Sequence, residues 1–194
     1  MPSNQYHFIT DWQIPGAINE VADILKDAES LPIWWPSVYL DVKVLEPGDE
    51  SGVGKVVSLY TKGWLPYTLR WKFRVEESNY PHGFSLRAIG DFDGFGIWSL
   101  GQEGESVNVT YDWRVQADKP LLRALSFVFK PIFSANHRWA MKMGERSLIL
   151  EVARRRARTT AERNAVPEPP GPTFPHNLVR RRRQVIEQTQ PSQR

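Results

Sequence analysis

Few side chains in this sequence are of a type that moves protons or holds metals. There is no cysteine, and the four histidines, His7, His82, His137 and His176, show no ligand spacing. A metal centre, a thiolate nucleophile and a disulfide are therefore not expected. His137 falls in a stretch of helical period. A lone histidine there is either a hydrogen-bonded core or rim residue, or a group that anchors a ligand oxygen and exchanges a proton near neutral pH. Asp91 and Asp93 flank Phe92 within Gly90-Asp91-Phe92-Asp93-Gly94. As turn residues they are unremarkable in type, since Asp and Gly suit such backbones; as carboxylates at a cavity mouth, one could serve as a general base. No neighbour completes a catalytic set, so His137 and Asp91 stand alone as candidates, and no cofactor is expected. Gly94-Phe95-Gly96 is not a phosphate loop, because no helix with Lys-Ser/Thr follows it.

The other residues able to do something are aromatic. Trp71, Phe73, Phe84, Trp98, Tyr111 and Trp113 fall on one side of alternating stretches. Either they fill a core or they grip a flat or polycyclic ligand between rings. The indole N–H groups of Trp71, Trp98 and Trp113 need acceptors once buried, which a ligand or water could supply. With His137 and Met141 these six residues form the expected pocket lining.

The elements that must position them follow from hydrophobic period. Residues 4–12 mix apolar and polar as a first strand does, and a helix is expected over 15–26, with Pro15 near its first turn. A short second helix follows around 28–34 and ends at Trp34-Trp35-Pro36, because proline disfavours helix at the residue before it. From 38 to 116 the period becomes two, with strands expected over 38–45, 55–62, 67–75, 84–88, 94–100 and 107–115. In the third of these, Tyr67, Leu69, Trp71, Phe73 and Val75 alternate with Thr68, Arg70, Lys72 and Arg74, giving one aromatic face and one cationic face turned to water. Helical period returns over 121–129, with a break or kink at Pro131, and the long final helix runs to about 155. On it Phe133, His137, Met141, Gly144, Leu148 and Val152 fall within roughly 100° of arc. Gly144 implies a close approach of that helix to another backbone, since glycine inside a helix costs about 1 kcal/mol relative to alanine.

The expected class is α+β: a curved antiparallel seven-stranded sheet around one long C-terminal helix, with two short helices after strand 1. A helix roughly 10 Å wide cannot cover seven strands spaced about 4.8 Å apart. A sheet that curls round such a helix leaves inner apolar face over, and that face must line a cavity. A second stripe on the helix, Ile132, Ala135, Trp139, Met143 and Leu150, lies roughly opposite the first. It is covered either by 121–129 folding back or by a homodimer or membrane-surface contact through Trp139 and Met143.

The formal charge of +3 conceals two parts. Residues 1–153 carry 15 Lys and Arg against 19 Asp and Glu, whereas 154–194 carry 10 Arg against 3 Glu. The basic pI thus belongs to the end of the chain, and nucleic-acid binding by the body is not implied. Five prolines within 164–175 and the run Arg180–Arg183 suggest that 167–194 is mobile, either a solvated tail or a contact for anionic lipid headgroups or RNA. The domain is therefore expected over 1–155 and a Pro/Arg-rich tail over 156–194. No apolar run approaches the roughly 18 residues of a membrane span, and the first residues lack the basic start and apolar stretch of a signal peptide. The expected location is cytoplasmic.

The element order and several landmarks resemble the START/Bet v 1-like (SRPBCC) superfamily, with its helix-grip fold, and within it the polyketide cyclase/dehydrase-type bacterial proteins. The landmarks are Trp34-Trp35-Pro36, Thr61-Lys62-Gly63-Trp64-Leu65-Pro66-Tyr67, Gly90-Asp91-Phe92-Asp93-Gly94-Phe95-Gly96-Ile97-Trp98, Tyr111-Asp112-Trp113-Arg114-Val115, Asn136-His137-Arg138-Trp139 and Met143-Gly144-Glu145. The likeness covers about 5–155. It implies a cavity for a small hydrophobic or amphipathic ligand, such as a lipid, isoprenoid or polyketide, and as an alternative a cyclase or dehydrase using the same cavity. It implies no universal catalytic motif, because such folds host carriers and enzymes alike.

Overall fold

The computed structural model describes residues 5–117 and 126–178, with side chains at 6–116 and 131–178. Seven strands form one antiparallel sheet: β1 (Gln5–Pro15), β2 (Tyr39–Glu46), β3 (Val56–Lys62), β4 (Thr68–Asn79), β5 (Gly83–Gly90), β6 (Phe92–Glu103) and β7 (Ser106–Ala117). Their order is β1-β7-β6-β5-β4-β3-β2, so β2 to β7 form a meander and β1 pairs with the last strand. Between β1 and β2 stand α1 (Ile18–Lys26), a 3₁₀ turn at Ala28–Ser30 and α2 (Leu31–Trp34). The long helix α3 (Ser126–Arg156) follows the sheet, and a short α4 (Thr160–Ala165) follows α3. This is the expected α+β helix-grip architecture.

Three local expectations are corrected. Strand β1 runs on to Pro15, so Pro15 ends a strand and α1 starts three residues later. Proline is tolerated there because it stands at the end of the ladder. Pro131 lies inside α3 and does not end it; the missing N–H removes one hydrogen bond close to the start of a 31-residue helix. Residues 121–125 of the expected separate helix lie outside the described residues, and 126–129 belong to the first turn of α3. Lastly, β5 and β6 meet at a single intervening residue, Asp91, where Gly90 adopts φ +125°, a region that glycine enters without steric cost.

The core lies between the concave sheet face and the helices. Val57, Leu59, Leu69, Trp71, Phe73, Val107, Val109 and Trp113 are buried from the sheet, and Met141, Leu148 and Val152 from α3. The expected helix stripe therefore does face the sheet. The cationic row alternates out of it, with Arg70, Lys72 and Arg74 exposed. Arg70 sits over the ring of Tyr60, 4.2 Å from its centroid. On the outer face Asp112 accepts from Arg114, two residues along its own strand, and from His7 on β1.

The ends of the helices are fastened by polar groups. Gln102 accepts from the Ile18 amide at 2.8 Å and donates to the Gly16 carbonyl, seating the start of α1 on β6. The Glu20 carboxylate accepts from the Ala17 amide and from Arg156 at the end of α3. That guanidinium holds the Glu20 carboxyl below the usual carboxylate range.

Beyond α3 the chain turns back. Thr159 caps α4 by accepting from the Glu162 amide. Arg154 donates to the Pro167 carbonyl at 2.9 Å, and Pro169 is buried. Lys62 Nζ donates to the carbonyls of Thr173 and Phe174 at 3.1 and 3.0 Å. The Thr173 hydroxyl donates to the Gly63 and Trp64 carbonyls, and the His176 ring stands edge-on to Tyr60. The stretch 167–178, whose composition suggests mobility, thus carries specific contacts with the end of β3; 179–194, with the arginine run, lies outside the described residues. In the second α3 stripe Ile132 is exposed, while Ala135, Trp139, Met143 and Leu150 are half-buried within the chain itself.

Candidate functional site

Period two along each strand sends every second side chain inward, and the register decides which of them meet. Phe84 on β5 is paired with Trp98 on β6, and Trp98 with Tyr111 on β7. The rings stack in sequence: Phe84 on Trp98 at 6.2 Å, Trp98 on Tyr111 at 4.1 Å and Tyr111 on Trp113 at 5.5 Å between centroids. Gly96 makes this ladder possible. A Cβ there would stand 2.8 Å from Tyr111 Oη and 2.9 Å from Trp113 Cε3. Trp71 tilts against Trp113 at 5.7 Å and donates its indole N–H to Thr61 Oγ1 at 3.0 Å.

One end of this ladder borders a cavity of about 130 Å³ between the sheet and α3. Of the expected lining, Trp71, Trp98, Tyr111, Trp113, His137 and Met141 are in its wall. Phe73 and Phe84 are not. They line a second cavity of about 140 Å³, at the end of the sheet next to α1. The stacked pair Phe84–Trp98 and the tilted pair Trp71–Phe73 each straddle the division, one ring on either side. Asp91 is in neither wall; its carboxylate accepts from the Arg70 amide at 2.7 Å, the turn role that its residue type allows.

Reasoning from sequence missed Tyr6, Phe8, Trp35, Tyr39, Tyr67, Phe133 and Asn136, all in the wall of the first cavity. Tyr6 and Phe8 had a signal, since they share the inward alternation of Trp12 and Ile14 on β1. Asn136 had none. Its Oδ1 accepts from the Leu65 amide at 3.2 Å, and a side chain at Gly63 would collide with it. The segment from Gly63 to Leu65, between β3 and β4, is thus held by Asn136 from α3 and by Thr173 from the C-terminal stretch.

The wall is apolar with a few polar points. Burial pushes the Tyr67 phenol up to about 12 and also raises Tyr39 and Tyr111, so all three stay protonated and can donate. Burial, with Arg138 adding, pushes His137 down to about 4, so the imidazole is neutral at pH 7. His137 Nε2 and Trp35 Nε1 are buried with no hydrogen-bond partner among the described residues. Two unmatched polar atoms in an apolar wall are costly unless a bound molecule or water meets them. Among the described residues no cluster of metal-ligating side chains occurs.

No protein-family model matches the sequence, and no curated protein matches it. Solved structures do match. The Zhui aromatase/cyclase from Streptomyces sp. R1128 is 15% identical, with a TM-score of 0.63 over 79% of this chain and 97% of that one. The di-domain aromatase/cyclase BexL is 15% identical, with a TM-score of 0.59 over 81% of this chain and 52% of that one. A norcoclaurine synthase from Thalictrum is 13% identical, with a TM-score of 0.51 over 76% of this chain and 95% of that one. At such identities the likeness is one of fold.

Proposed function

We propose that this chain, which carries the START/Bet v 1-like helix-grip fold, binds a small hydrophobic or amphipathic ligand in the cavity between its sheet and α3. The observation that carries this reading is the wall itself: Trp71, Trp98, Tyr111 and Trp113 on one side, and the unmatched polar atom of His137 on the other. Because Trp98 and Tyr111 are stacked on both faces by their neighbours, the rings supply affinity through apolar burial against their edges. His137 Nε2 and Trp35 Nε1 orient the ligand by meeting an oxygen, the indole only as a donor and the neutral imidazole as either donor or acceptor. An engineered cavity of about 150 Å³ holds benzene, so the enclosed part suits one ring or a short chain. A lipid, isoprenoid or polyketide would extend from it through the mouth.

Native mass spectrometry of the purified protein, followed by thermal shift with toluene, p-cresol and short fatty acids, tests the reading. A retained small molecule or a dose-dependent rise in melting temperature is expected. A protein that keeps nothing and gains no stability from any of them overturns it.

The second reading is an enzyme of the cyclase or dehydrase type. It is favoured by the aromatase/cyclases among the structural neighbours and by a histidine in the cavity wall that burial keeps neutral, a weak base whose buried Nε2 can meet a ketone oxygen. The cavity would fold a poly-ketone chain, and His137 would move protons along it. Turnover of a poly-ketone that His137→Ala abolishes, while ligand binding persists, separates this reading from the first; binding without turnover rejects it.

A further inference from the structure

We infer that the second cavity, between α1 and the β2–β3 loop, is a separate binding site for a small anionic amphiphile, one ring or a short chain bearing a carboxylate. Its floor is apolar: Leu25 and Ala22 from α1, Phe73 and Val75 from β4, Phe84 from β5 and Leu100 from β6. At about 140 Å³ it is the size of a site that holds a single benzene ring. Two lysines contribute to its wall. Lys26 ends α1 and lies 5.7 Å from the centroid of Tyr80, and Lys55 precedes β3. Neither forms an ion pair among the described residues.

The wall also holds acids, and their orientation decides its character. Asp49 is turned into its own loop, accepting from the Ser51 hydroxyl at 2.6 Å and from the Val53 amide at 3.0 Å. Asp23, outside the wall, is engaged by the Tyr80 hydroxyl. Glu50 is exposed at the loop tip. The wall thus holds as many carboxylates as lysines, and the recognition of an anionic head rests on the N–H donors of Lys26 and Lys55, which no carboxylate among the described residues engages, above an apolar floor that takes the ligand's body. The division by Trp98 and Phe84 makes this site distinct from the first cavity, so the inference does not depend on what that cavity binds.

Phenylacetate and its neutral amide, phenylacetamide, are suitable probes, titrated into the full chain by calorimetry. The acid is expected to bind wild type about tenfold more tightly than the amide, the lower end for hydrogen bonds to charged groups. The preference is expected to persist in Ala140→Phe, which obstructs the first cavity, and to vanish in the double variant Lys26→Met, Lys55→Met. Equal affinities in wild type, no binding of either probe, or a preference that survives the double variant would each overturn the inference. Ala140→Phe could unfold the protein, so nuclear Overhauser contacts in wild type are a second measure. Contacts from the phenyl protons to Phe84 and Leu100 support the site, and contacts to Met141 place the acid in the first cavity instead.

Discussion

The imidazole of His137 lies flat against the ring of Phe8, the centroids 4.1 Å apart and the planes within 17° of parallel. Helix α3 thus meets β1 through two stacked rings, and His137 Nε2 is buried. In the folded protein His137 takes up a proton only near pH 4, whereas the unfolded chain does so near 6.5. Above pH 6.5 both states are neutral and stability is at its full value. As the pH falls towards 4 the unfolded state gains a proton that the folded state refuses, and up to about 3 kcal/mol is lost. Glu20 and Asp112, whose carboxyls are depressed by arginines, also lose stability in acid, but they do so equally in His137→Gln. Urea midpoints of wild type and His137→Gln are therefore expected to converge between pH 7 and 4. Curves that stay parallel over that range would show that the imidazole is not shielded.

Gly144 lies against the indole of Trp35, where any Cβ would overlap the six-membered ring. The close approach expected from the sequence is real, but the partner is a side chain and not a backbone. Alanine at this position gains about 1 kcal/mol in helix propensity and is opposed by about 1–3 kcal/mol of overpacking. Trp35 is buried and also touches Trp12, Trp34 and Tyr39, so it can yield only towards the first cavity, whose wall it forms. Gly144→Ala is expected to lower stability by about 1 kcal/mol in chemical denaturation and Gly144→Val by more. A stabilised Gly144→Ala would mean that the indole moves freely.

These residues show what the sequence carries and where it stops. Alternation along β4 separates Trp71 and Phe73 from Arg70 and Lys72, and the burial pattern agrees at each position. Period two reports which face a side chain takes, but not its level along the strand relative to α3. For that reason Phe73 and Phe84 were legible as inward rings and not as the wall of a different cavity. Lys62 marks another limit. By alternation it follows inward Thr61 and belongs outside, yet it is only 2% exposed. What covers it is a pair of backbone carbonyls from a proline-rich stretch over a hundred residues away. Any residue offers a carbonyl, so composition could not announce that contact.

Lys62 makes a third prediction possible. Its ammonium is buried against the Thr173 and Phe174 carbonyls, and burial lowers its pKa. A chain ending at Val166 lacks both acceptors. Hydrogen bonds to a charged group are worth about 1.5–3 kcal/mol, part of which water restores once the stretch is gone. Truncation alone and Lys62→Met alone are each expected to destabilise the protein, and the combination to cost less than their sum. In a double-mutant cycle the coupling should reach about 1 kcal/mol. Strict additivity would show that the C-terminal stretch rests on the sheet without being held by Lys62.

The size of the first cavity gives the last prediction. Trp71 forms part of its wall and touches Phe92 and Trp113 edge-on or tilted. Replacement by leucine removes most of an indole while keeping the position apolar. The surrounding rings are fixed by the cross-strand ladder, so the space opens and does not collapse. The cost is expected to be about 2–4 kcal/mol, from lost burial, the new void and the Thr61 hydroxyl deprived of its donor. In return the enclosed volume should pass from one ring to two. Wild type is expected to prefer toluene to naphthalene in thermal-shift titrations, and Trp71→Leu to reverse that order. A variant that loses stability but keeps the wild-type preference would show that ligand size is not set by the indole of Trp71.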